Sequence, residues 1–135
     1  MTAVQSIQIK ARDGYVLTGR EYLPSGPVQR ALLIVSAMGV GQRFYEAFAL
    51  WLASQGVAVT TFDFRGIGES APHRLRGFDA RLTDWAERDL AAVCEYVHAR
   101  WPTVPRTYLG HSLGGQLFGW LDHPEQFDKV VTVAS

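Results

Sequence analysis

Apolar and polar side chains alternate near the start of the chain. Ile7 and Ile9 fall on one side and Gln8 and Lys10 on the other, the period of two that a half-exposed strand requires. Asp13-Gly14 is a hairpin turn signal, and Val16 to Tyr22 resumes the extended pattern before Pro24 stops it. The two segments therefore predict an antiparallel hairpin with one wet face. The pattern then changes. Ala31-Leu-Leu-Ile-Val-Ser36 is almost continuously apolar, as is Val57 to Phe62, which is the signature of strands buried on both faces beneath helices. Between them Phe44, Phe48, Trp51 and Leu52 recur at helical spacing, with Gly56 placed to end the helix. A second helix is expected from about Thr83 to Arg100, with Leu82, Ala86, Leu90, Val93 and Val97 on one face and Thr83 as N-cap; Pro102 and Pro105 prevent its continuation. Thr107 to Gly110 reads as a short strand, Leu113 to Asp122 as a helix stopped before Pro124, and Lys129 to Ala134 as a last apolar strand.

A hairpin followed by strands alternating with helices predicts an α/β domain. Its sheet should have about six strands, mostly parallel, with helices on both faces. At 135 residues the chain has room for one domain. With 13 Lys and Arg balancing 13 Asp and Glu, it lacks the basic excess of a nucleic-acid binder. No apolar run reaches the roughly 18 residues a membrane span needs. Met1 to Lys10 lacks the basic start and apolar core of a signal peptide. The lone cysteine, Cys94, cannot form an internal disulfide. These features together set a cytoplasmic location as the expectation.

The chemistry is concentrated in Gly110-His111-Ser112-Leu113-Gly114-Gly115, placed where a strand meets a helix. A serine at such a turn is held in a strained backbone conformation, and its neighbours two residues away must be small to avoid collision. The turn lifts the hydroxyl to the C-terminal edge of a parallel sheet, beside free backbone N–H groups that can stabilise an oxyanion.

With this elbow the chain resembles the α/β-hydrolase family over nearly all its length. Two further blocks carry the resemblance. Asp63-Phe-Arg-Gly-Ile-Gly-Glu-Ser70 is similar to the D-x-R-G-x-G-x-S loop that follows the fourth strand in many of these hydrolases, and Ser36-Ala-Met-Gly39 stands where the family places its His-Gly oxyanion loop. Within the family the chain is most like serine-aminopeptidase-like or lysophospholipase-like cores. The resemblance implies Ser112 as nucleophile, with the backbone N–H groups of Met38 and Leu113 as oxyanion donors. Ser36 and Ala37 replace the usual His-Gly pair, a change that a backbone donor tolerates. Asp63, Arg65 and Ser70 are expected to brace loops rather than to catalyse.

A serine triad also needs a base and an orienting carboxylate, which in this family follow the serine in the order acid, then histidine. Residues 113–135 offer Asp122, His123, Glu125 and Asp128. Ten helical residues would put Asp122 about 15 Å from Ser112, out of reach. His111 should pack away from the serine, and His98 lies near the far end of its helix. Only His73 is expected on a loop at the correct edge, with no second carboxylate obviously placed to orient it. Losing the base of such a triad costs about 10⁶ in turnover, roughly 8 kcal/mol.

The family core has eight strands and is about twice this length. Residues 1–135 are accordingly expected to be the N-terminal part of one α/β-hydrolase domain, without the last strands or the cap region. Such a part would be inactive alone, with a small acyl compound (ester or amide) as substrate once completed. The alternative is a non-catalytic interaction module pairing with a copy of itself or a complementing chain through the Lys129–Ala134 edge. No metal-ligand spacing or phosphate-binding fingerprint occurs, so no cofactor is expected.

Overall fold

A computed structural model describes residues 2–74 and 77–135. Strands β1 (Ala3–Lys10) and β2 (Val16–Leu23) form the expected hairpin, with Lys10 opposite Val16 and a positive φ of 93° at Gly14 that frees the turn. β3 (Arg30–Val35), β4 (Val57–Phe62), β5 (Arg106–His111) and β6 (Lys129–Val133) run parallel to one another, and the sheet order is β1-β2-β4-β3-β5-β6. β2 joins this parallel block antiparallel to β4. The central strands β3 and β4 are buried along nearly their whole length, because each sheet face is covered there.

On one face α1 (Glu46–Ser54) sets Ala49 and Ala53 against Tyr22, Leu32, Ile34 and Val59. The opposite face is covered by a long helical stretch made of α2 (Leu82–Asp84), a π-helical segment (Trp85–Leu90) and α3 (Ala91–Arg100). From it Ala86, Leu90, Val93 and Val97 pack onto Leu33, Val35, Phe62 and Tyr108. That stripe is the one the sequence spacing predicts, except for Leu82, which is exposed.

Two local expectations are corrected. The helix after β4 starts at Leu82, not Thr83. Its N-cap is Arg81, whose N–H donates to the Asp84 carboxylate at 2.9 Å, so the capping oxygen comes from inside the first turn. The helix after β5 does not run to Asp122. α4 (Leu113–Gln116) is a single turn that tightens into a 3₁₀ segment, Leu117–Trp120. Gly114, Gly115 and Gly119 each cost a helix about 1 kcal/mol relative to alanine, enough to prevent propagation. In α1, the stripe that betrays the helix is not its buried face. Phe44, Phe48 and Trp51 point outward at 71%, 43% and 58% exposure. The sheet is instead met by Ala49 and Ala53, whose small side chains let the helix approach closely, with Tyr45 of the preceding 3₁₀ turn buried beside them.

Candidate active site

β3 and β5 are neighbouring parallel strands, with Val35 opposite Gly110. The loops that leave them, 36–41 and the turn at Ser112, therefore emerge side by side at the C-terminal edge of the sheet. This adjacency brings Met38 and Leu113 to the same edge as Ser112.

Ser112 has φ 52° and ψ −114°, a left-handed conformation that costs a side-chain-bearing residue about 1–3 kcal/mol. Its N–H donates to the Val133 carbonyl at 2.8 Å, and its own carbonyl accepts from Gly115 N–H at 3.0 Å and from the Ser135 hydroxyl at 2.7 Å. The flanking glycines are sterically required. A Cβ on Gly110 would collide with the Gly115 backbone, and one on Gly114 with the Val35 carbonyl. Strand end, serine and helix start are thus pressed into one tight elbow. Leu113 is the first residue of α4, so no carbonyl within the helix is available to its N–H.

The loop before α1 is anchored by a buried carboxylate. Asp63 accepts hydrogen bonds from the Gln42 N–H at 2.7 Å, the Gln42 side chain at 3.1 Å and the Glu69 N–H at 2.9 Å. Gln42 also bonds the Thr18 carbonyl and accepts from Thr61 at 2.7 Å. Ser70 is equally structural, accepting from the Thr18 N–H and donating to the Asp63 carbonyl at 2.6 Å. Arg65 donates to both Asp89 oxygens at 2.7–2.9 Å and to both Asp13 oxygens at 2.7 and 2.8 Å. Asp63, Arg65 and Ser70 therefore brace loops, as the sequence implies.

At the end of β5 lies a contact that the motifs do not announce. The Tyr45 hydroxyl accepts the Ala37 N–H at 3.0 Å and lies 2.9 Å from His111 Nδ1, while Phe44 stacks on the same imidazole. His111 is thus held away from the serine, as alternation predicts. A Gln or Tyr in a loop carries no sequence signal for such a role, because His111 lies 66 residues from Tyr45 and Thr61 lies 19 residues from Gln42 in the chain. Phe44, Tyr45, Phe48, Leu109, His111 and Val133 line an apolar hollow of about 400 Å³ against this edge.

The residues after Ser112 are engaged elsewhere. Asp128 accepts the N–H of Arg106, the first residue of β5, and the five steps from there to His111 span about 16 Å of strand. Asp122 pairs with Arg12 at 3.3 Å and His123 with Glu125 at 3.0 Å. The helical distance expected for Asp122 does not apply, since the helix stops short, yet the residue is committed to Arg12. His98 is half-buried on α3, and His73 is exposed. Among the described residues no histidine makes a hydrogen bond with the Ser112 hydroxyl. Met38 is 63% exposed. Burial pushes the Cys94 thiol far above its ordinary range, which leaves it no nucleophilic thiolate. No helix among the described residues is long and apolar enough to cross a membrane.

Comparison with known proteins agrees with this geometry. Residues 26–135 match the family described as serine aminopeptidase, S33. Monoglyceride lipase of Rattus norvegicus is 30% identical over 126 residues, 90% of this chain and 40% of that protein. A carboxyl esterase from Bacillus coagulans superposes with a TM-score of 0.80 at 20% identity, covering 96% of this chain and 44% of the esterase. XC6422 from Xanthomonas campestris, described as a serine hydrolase without a lid, gives 0.74 at 20% identity, covering 96% and 60%. The chain thus spans 40% to 60% of the length of these three proteins. Its sheet order, its strained elbow and the match over residues 26–135 lead to one assignment: the chain belongs to the serine aminopeptidase S33 family of α/β-hydrolases.

Proposed function

We propose that this chain carries the nucleophilic half of a serine hydrolase site, in which Ser112 attacks the carbonyl of an ester or related acyl compound. The observation that carries the reading is the backbone of Ser112, held at φ 52° between two glycines that admit no side chain. Strain of this kind persists where a turn must present one residue. In the step proposed, Ser112 Oγ bonds to the acyl carbon while its proton passes to a base. The carbonyl oxygen takes the negative charge between the Met38 and Leu113 N–H groups. Collapse releases the alcohol, which recovers the proton, and water then hydrolyses the acyl-serine. The names of two relatives, a lipase and a carboxyl esterase, support an ester. The base and its carboxylate come from outside residues 1–135, since Asp122 is paired with Arg12, Glu125 with His123, and Asp128 accepts the Arg106 N–H.

Intact mass before and after treatment with a fluorophosphonate tests this. We expect the 15.0 kDa chain to remain unmodified alone. With a fragment supplying the remaining hydrolase strands it should gain one adduct, and Ser112→Ala should abolish that gain. Stoichiometric labelling of the isolated chain would instead show that a base is already assembled, pointing to His73 or to a histidine of a second copy. No adduct in the completed domain would remove Ser112 as nucleophile.

A second reading is favoured by β6, an edge strand exposed over all five residues. In it the chain is an interaction module that pairs through this edge, and the elbow is inherited architecture.

A further inference from the structure

We propose that Tyr45 is a positioning residue whose hydroxyl ties the loop carrying Met38 to the strand end carrying Ser112, fixing the separation of the two oxyanion N–H groups. The inference rests on the function proposed above and adds a component that no motif contains.

The geometry is specific. Ala37, whose N–H reaches the Tyr45 oxygen at 3.0 Å, immediately precedes Met38, and His111, whose Nδ1 lies 2.9 Å from the same oxygen, immediately precedes Ser112. One hydroxyl thus contacts the residue before each half of the site. The phenol is 8% exposed, and burial raises its pKa above the ordinary value, so the proton stays on the oxygen. The Ala37 N–H takes one lone pair, and in the proposed arrangement the hydroxyl's own proton goes to His111 Nδ1, which leaves the imidazole as the Nε2–H tautomer.

The hydroxyl is itself held rigidly. Tyr45 closes a 3₁₀ turn that begins at Gln42, and Gln42 is clamped by Asp63, Thr61 and Thr18. Position is therefore transmitted from the end of β4, through Gln42 and Tyr45, to both halves of the site. On the other side Phe44 lies over His111 at 6.3 Å with the rings 11° from parallel.

Tyr45→Phe removes the hydroxyl and keeps the ring. In the isolated variant we expect Ala37 amide exchange to accelerate about tenfold, the worth of one hydrogen bond, while Leu33 and Ile34 stay protected. The His111 ring nitrogens should shift by NMR as the tautomer is released. In the domain completed with the missing strands, the saturating rate of fluorophosphonate labelling should fall about tenfold, with the half-saturating concentration unchanged. His111→Gln, whose amide oxygen can accept the same proton, should retain most of that rate, whereas His111→Ala should not. Unchanged Ala37 exchange and His111 resonances in Tyr45→Phe would overturn the bridge. A lost bridge with an undiminished labelling rate would overturn the positioning role. A parent domain that takes no label would refute the nucleophile, and with it the purpose of the bridge, while the exchange data would still decide whether the bridge exists.

Discussion

Ser112 holds a backbone conformation that glycine adopts freely and other residues resist. If the turn is kept for chemistry, the serine side chain is a cost to the fold rather than a benefit. Ser112→Gly should therefore raise stability by about 1 kcal/mol, read as a higher urea midpoint at unchanged slope. A lower midpoint would mean that the hydroxyl supports the fold. Gly114→Ala should act in the opposite sense and cost about 3 kcal/mol, because the new methyl meets the Val35 carbonyl, a backbone atom that cannot swing aside. At this scale the elbow is legible in the sequence, since Gly110, Ser112 and Gly114 state their spacing outright. Tyr45 and Gln42 are not. Their partners, His111 and Asp63, become neighbours only when β3, β4 and β5 are laid side by side.

Between elements, the strongest polar link is Arg65, which joins the end of β4 to Asp89 in the π-helical segment and to Asp13 in the hairpin turn. Asp89 is fully buried, and burial raises its pKa against the opposing pull of Arg65. Arg65→Met would leave that carboxyl unpaired, at a cost of about 3 kcal/mol at pH 7. The deficit should shrink as the pH is lowered and Asp89 takes up a proton. Asp13 works in the other direction. Its hydrogen bonds from Arg65 hold its pKa well below the ordinary 3.8, so the folded state binds this proton less readily than the unfolded chain. The resulting stability is complete above about pH 5 and is lost as the pH falls below the unfolded value. Asp13→Asn should therefore lose about 2 kcal/mol at neutral pH and show a flatter decline than the parent between pH 5 and pH 3. Parallel curves from urea unfolding across that range would exclude the assignment. Helices are read less faithfully than strands for a physical reason. A buried strand must be apolar throughout, but α1 meets its sheet through Ala49 and Ala53, and the larger residues that announce its period face outward.

For the whole molecule, the alternation of strands and helices is enough to specify the layered sheet. It does not say how β6 would be finished. In the structure Lys129–Val133 pairs with β5 on one side alone. Val131 and Val133 fall on the same face as Leu109 and His111, and Val133 lines the hollow with Phe44 and Phe48. An apolar strand with one row of unpaired backbone groups, next to an apolar hollow, is a template for another strand. This edge is also coupled to the elbow, because the Val133 carbonyl holds the Ser112 N–H at 2.8 Å. Whatever pairs with β6 therefore steadies the nucleophile's turn as well as covering apolar surface. The chain should self-associate at tens of micromolar, and Val131→Lys, which places a charge on that face, should weaken association at least about tenfold with an unchanged far-ultraviolet spectrum. Sedimentation velocity over a concentration series separates the outcomes. If the parent and Val131→Lys proteins associate equally, β6 is not the contact. If a fragment bearing the strands that lie beyond the matched region in the relatives competes with self-association, the β6 edge is the surface on which that fragment docks.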